Sequence, residues 1–162
     1  MGVGMELLKN QGVSQGHPSG DVGKKICVLV VMPEDRRLSL SKHLESCAMV
    51  ALPVRNCREA LAALQTIQVE VIITDPTLPD GNWVDLLAAA DRCHSSAEIV
   101  ICMRKADHRQ WIDALEGGAY DVLAEPYRED EVKRIVEGAA LKSRMPRHAQ
   151  PGVGRCILSL GV

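Results

Sequence analysis

The sequence predicts one α/β domain built on a doubly wound, five-stranded parallel sheet of order 2-1-3-4-5 with helices on both faces. Three observations lead there. From Ile26 onward, five short apolar runs alternate with longer amphipathic stretches, the pattern of repeated βα units. The apolar runs suit strands covered on both faces, which belong to a parallel sheet. A chain of 162 residues has room for one domain with its own core and short tails.

The elements follow in order. Residues 1–23 are rich in Gly, Ser, Gln and Asn, and GHPSGD is a run of turn formers, so this part reads as a flexible lead. The domain is expected over 24–144, with strands at 26–31, 49–54, 71–74, 99–103 and 120–124. Leu40, Leu44 and Cys47 recur at helical spacing after the first strand, and Ala60, Leu61 and Leu64 after the second. Val84, Leu87 and Ala88 are expected to form the buried face of the third helix. Ile112 and Leu115 do the same for the fourth, which Gly117-Gly118 stops. Val132, Ile135, Val136 and Ala139 give the fifth helix a continuous stripe. Residues 145–162 read as a tail, for which a disordered end is expected, the alternative being that its last apolar run docks on the domain or a partner.

Composition removes several function classes. A net charge of -2 from interspersed acids and bases provides no field aimed at nucleic acid or a membrane surface. No apolar stretch approaches a membrane span, and the N-terminus lacks a basic-then-apolar signal, so a cytoplasmic protein is expected. The six cysteines (Cys27, Cys47, Cys57, Cys93, Cys102, Cys156) contain no C-x-x-C pair. The five histidines (His17, His43, His94, His108, His148) show no ligand spacing. Neither set argues for a metal site or a disulfide.

In an open α/β sheet, ligands bind beyond the carboxyl ends of the strands where the chain order reverses, which selects the loops after strands one and three. These loops read MPEDRR and DPTLPDGN. The segment VIITDPTLPDGNWVDLL resembles the part of a two-component response regulator receiver in which a strand ends at the phosphorylated aspartate. ICMRKAD and ALEGGAYDVLAEPY extend the resemblance through the fourth strand to a residue-Pro-aromatic turn, so that it covers residues 26–140.

The resemblance implies a phosphoacceptor at Asp75, with Mg²⁺ held by that carboxylate, a carbonyl at Thr77 and two acids after strand one. Those acid positions are Met32 and Pro33 here, and neither side chain binds a hard cation. Glu34, just beyond, is the candidate for a shifted metal site. A helix-first-turn acid explains Glu34 and Asp35 equally well through the helix dipole. The hydroxyl position at the end of strand four is Met103, and the lysine position before the proline is Glu125. Two like charges about 5 Å apart at an effective dielectric near 20 repel by roughly 3 kcal/mol, so Glu125 opposes a phosphorylated Asp75. The aromatic switch position is Val122; Tyr120 and Tyr127 lie nearby without being equivalent. The Glu125-Pro126 bond is expected to be cis if the family pattern holds. Alternatively, Asp75 only shapes its turn.

The expected function is a non-enzymatic, receiver-like signalling module, a pseudo-receiver that works by contact with a histidine kinase or other signalling protein. A homodimer through the fourth helix, fifth strand and fifth helix is a further expectation, with Arg109, Asp113, Glu116, Lys133, Arg134 and Glu137 as rim candidates. Direct nucleic-acid or membrane contact is not expected. The alternatives are a phosphoaccepting regulator using Asp75 with Mg²⁺ at the shifted site, and a flavodoxin-like small-ligand binder, for which MPEDRR lacks a phosphate-cradling Gly.

Overall fold

The computed structural model describes residues 24–104 and 107–145. The expected lead lies outside the described residues, as does the expected tail apart from Met145. Five strands, β1 (Cys27–Val31), β2 (Val50–Val54), β3 (Val71–Thr74), β4 (Glu98–Met103) and β5 (Asp121–Ala124), pair in parallel in the order β2-β1-β3-β4-β5. The expected topology therefore holds, and each strand begins or ends within one residue of its apolar run. The helices are α1 (Glu34–Ser46), α2 (Cys57–Thr66), α3 (Trp83–Arg92), α4 (His108–Glu116) and α5 (Glu129–Ser143). None of them is long and apolar enough to cross a membrane.

The sheet separates two cores, as side chains alternating up and down a strand require. Val28, Val30, Val71, Ile73, Val100, Cys102 and Leu123 point to one side. There they meet Leu40 and Leu44 of α1 and Val132, Ile135, Val136 and Ala139 of α5. Leu29, Val31, Ile72, Ile99, Ile101 and Val122 point to the other, against Ala60 and Leu64 of α2, Leu86 and Leu87 of α3 and Ala114 of α4. Pro53 lies in β2, an edge strand, where its missing N–H costs no inner ladder bond.

Two helical faces differ from the sequence pattern. In α3 the buried residues are Leu86, Leu87, Ala89 and Ala90, while Val84 and Ala88 are exposed. The phase of this helix is set by its start. Asn82 and Asp85 form a reciprocal capping box, and a two-residue antiparallel ribbon, Thr77–Leu78 with Gly81–Asn82, feeds it. In α4 only Ala114 is buried, and Ile112 and Leu115 are exposed. The space beneath the end of α4 is filled from α3: a Cβ at Gly117 would lie 2.7 Å from the Trp83 ring, and one at Gly118 would lie 3.0 Å from Leu87. Those glycines admit Trp83 and Leu87, and the apolar residues of α4 are left at the rim.

At the end of the sheet opposite Asp75, two acids are buried. Glu70 accepts from the Cys27 backbone at 2.9 Å and from Arg144 Nε at 2.5 Å, and Glu98 lies 3.4 Å from Lys142. These pairs tie the last turn of α5 to the starts of β3 and β4. A buried carboxylate that loses its cation is costly, whereas removing both charges together is much less so. Arg144→Ala is predicted to lower the unfolding free energy by about 2–3 kcal/mol, and Glu70→Gln/Arg144→Ala to recover more than half of the loss. Urea denaturation of the four proteins of the cycle would read this, and additive losses would contradict it.

Candidate functional site

β3 ends at Thr74, and Asp75 continues its ladder through a backbone bond to the Val31 carbonyl at 3.2 Å. Glu125 follows β5 and is held likewise by the Met103 carbonyl at 3.0 Å. The Glu125-Pro126 bond is cis. Above these strand ends α1 begins directly after β1, with Glu34 and Asp35 in its first turn and the Arg37 N–H bonded to the Pro33 carbonyl. The third residue of that turn, Arg36, reaches back over the sheet.

Arg36 holds both carboxylates. Its Nη1 donates to Asp75 Oδ1 at 2.5 Å, and its Nε and Nη2 donate to Glu125 Oε2 at 2.9 and 2.7 Å. The side chains of Arg36 and Asp75 are only 12% and 7% exposed, so little solvent screens the contact. Glu125 Oε2 accepts a further bond from the Tyr127 hydroxyl at 3.1 Å. Tyr127 in turn meets Cys102 beneath it and the edge of the His43 ring on α1. The aromatic of the residue-Pro-aromatic turn thus packs inward and supports the acid.

The titration behaviour reflects two negative charges held by Arg36. Burial pushes the Asp75 carboxyl above its ordinary range; Arg36 pulls it down, the neighbouring Glu125 pushes it up again, and Arg104 also lowers it. For Arg36, burial opposes its charge, but the hydrogen bonds to Glu125 and the charge of Asp75 outweigh it and hold the guanidinium above its usual value. Burial also drives the Cys102 thiol up to about 12. That cysteine is a packed apolar group, not a reactive one.

The other expected site residues are placed as follows. Met32 is fully buried in the α1–α5 core and Pro33 is exposed at the N-cap of α1. Glu34 is exposed in the first turn of α1, and Thr77 is exposed in the short ribbon, paired with Asn82. Met103 is buried and lines a cavity of about 220 Å³ with Pro76, Trp83, Gln110, Asp113 and Ala114. Val122 is buried in the core on the α2–α3–α4 side. Among the described residues, no three Asp, Glu, His or Cys side chains come together as a metal site. Asp80 of the LPDG turn accepts from the Cys57 and Arg58 backbone N–H groups at 2.8 and 3.1 Å, so it ties this turn to the start of α2.

The comparisons with known proteins agree with this fold. A family model described as the response regulator receiver domain matches residues 33–137. The chain belongs to that family. This receiver is 25% identical over 91 residues to chemotaxis protein CheY of Listeria monocytogenes, a match spanning 56% of this chain and 76% of the relative. It is 28% identical over 104 residues to response regulator protein PilR of Pseudomonas aeruginosa, spanning 64% of this chain but only 23% of that longer protein. Among solved structures, the receiver domain of the Francisella response regulator 1452 superposes with a TM-score of 0.63 at 20% identity. That superposition covers 74% of this chain and all of that one. The beryllofluoride-activated NtrC4 receiver domain dimer gives 0.64 at 23% identity, covering 72% of this chain and 98% of that one.

Arg36 is the site residue that the sequence reading passed over. A signal was present: reversing the sign at position 125 leaves two carboxylates at one rim, and a pair with a buried member favours a cation nearby. Arg36 and Arg37 are the basic residues of the adjoining loop and helix turn.

The raised pKa of Asp75 gives a signed prediction. Below the ordinary carboxylate range, near pH 4, Asp75 is protonated in both folded and unfolded chains, and its favourable contribution is complete. As pH rises through the higher folded value, the unfolded chain releases its proton first and that contribution is lost. Asp75→Asn removes this dependence, so the variant is expected to gain stability relative to the native receiver as pH increases across the window. Urea midpoints measured from pH 4 to neutrality would test it; parallel curves would count against the assignment.

Proposed function

We propose that this receiver is a signalling module of a two-component or phosphorelay system that acts through protein contact and does not accept a phosphoryl group. The observation that carries the proposal is Arg36 spanning Asp75 and Glu125. Attack by an aspartate on a phosphoryl group needs an accessible carboxylate and cations around the incoming oxygens. Here the carboxylate is buried and already hydrogen-bonded, and the family's lysine position carries a second negative charge.

The donor set does not fit Mg²⁺. An octahedral ion needs several oxygen ligands, and Met32 and Pro33 supply none from their side chains. Asp75 Oδ1 is taken by Arg36. A phosphoaccepting site built with Glu34 would require Arg36 to leave and Glu34 to turn inward from an exposed position.

Contact is then the remaining means of signalling. The face made by α4, β5 and α5 offers exposed Arg109, Asp113 and Glu116 on one helix and Lys133, Arg134 and Glu137 on the other. A polar rim of mixed charge around apolar residues suits a specific, reversible partner such as a histidine kinase or another cytoplasmic signalling protein. The same face would serve a second copy of the receiver. The NtrC4 receiver named above is a dimer in its activated form.

Intact-mass analysis after incubation with acetyl phosphate and Mg²⁺ tests this reading. The native receiver is expected to show no phosphoryl adduct. A variant restoring the family pattern, M32D/P33D/R36A/M103T/E125K, is expected to gain an adduct that disappears when Asp75 is also changed to Asn. A Mg²⁺-dependent adduct on the native chain, abolished by D75N, would overturn the proposal.

A further inference from the structure

The helix α4 differs from its neighbours in what it leaves uncovered. Trp111, Ile112 and Leu115 are 40%, 42% and 41% exposed, and Ala114 is the one buried residue of the helix. Spacing of i, i+1 and i+4 places the three on one side. Asp113 and Glu116, both exposed, border them. Such a surface suits a segment that presents apolar side chains beside a positive charge.

The chain carries one. Residues 146–162 contain no Asp or Glu, and Arg155 directly precedes Cys156, Ile157, Leu158, Ser159 and Leu160. These residues lie outside the described structure. We propose that residues 155–160 dock on α4 of their own chain, with Ile157, Leu158 and Leu160 over Trp111, Ile112 and Leu115 and Arg155 against the Asp113–Glu116 margin.

Reach and size both favour this occupant. The described chain ends at Met145, and the ten residues from there to Arg155 span up to about 33 Å when extended. The helices α5 and α4 pack on the edge strand β5 from opposite faces, so the segment has to pass round that one edge. Three partly exposed side chains make a patch on the order of a few hundred Å², well short of the roughly 1,000 Å² that a stable association between separate molecules needs. A tethered segment faces no such threshold, because a short linker supplies an effective concentration in the millimolar range.

The consequence is regulatory. A segment seated on α4 occupies part of the face assigned above to partners, so a partner must displace it. The regulatory meaning rests on the contact reading, whereas the docking itself does not.

Acrylamide quenching of tryptophan emission in the full chain tests the docking, with Trp111→Phe assigning the share that comes from Trp111. In the native chain Trp111 is expected to be shielded. I157D/L158D is expected to raise its quenching constant severalfold and shift its emission to the red. Equal quenching in the two proteins would overturn the proposal. Shielding that fades on dilution would also overturn it, by assigning the cover to a second copy. Neither result depends on whether acetyl phosphate modifies Asp75, so this proposal and the contact reading fail separately.

Discussion

Two carboxylates at the carboxyl ends of a parallel sheet, both within reach of one guanidinium, set the terms for the rest of this molecule. The sheet order brings Asp75 and Glu125 to the same rim from either side of β4, and burial removes most of the water around Asp75, while Glu125 is 29% exposed. A cation is required there, and Arg36 supplies it from the first turn of α1, in the register fixed by a helix that begins directly after β1. The planar fork of arginine suits two acceptors at once, which a lysine's point charge does not. Tyr127 completes the arrangement by donating to the same Glu125 oxygen that receives two of the arginine bonds.

This arrangement inverts the usual sign pattern of a phosphoacceptor site. A receiver that accepts phosphate presents acids to a metal ion and a lysine to the phosphoryl oxygens. Here the acid positions after β1 are Met32, packed in the core, and Pro33, at a helix cap, while the lysine position is acidic. The charge that a metal and a lysine would bring from outside or across the site is built into α1. On the reading proposed above, the Arg36 ion pairs with Asp75 and Glu125 stand in place of a phosphoryl input. The other end of the sheet repeats the theme with Glu70 and Glu98 held by the last turn of α5.

Most of the fold was legible because its signals are local. Apolar runs with no polar alternation located the five strands, and the stripe from Val132 to Ala139 located the buried face of α5. The phase of α3 and the outward turn of α4 were not legible. The first depends on a capping box and a two-residue ribbon, the second on how Trp83 and Leu87 fill space beside Gly117 and Gly118. At the site, the replaced positions could be read one by one from the motif. The expected repulsion between Asp75 and Glu125 was drawn without the residue that lies between them, since nothing in the spacing of MPEDRR says which side chain turns toward the sheet. That depends on helix phase, and helix phase is a property of the packed structure.

If Arg36 stands where a cation would otherwise be needed, a Mg²⁺ titration followed by ¹⁵N–¹H spectra of the Arg36 side chain and the Asp75 backbone amide will leave both groups unchanged. A slowly exchanging Arg36 Nε–H and no saturable shift at either group up to millimolar Mg²⁺ are expected. A saturable shift at Asp75 accompanied by release of the Arg36 signal would show a metal displacing the arginine, and would contradict that role.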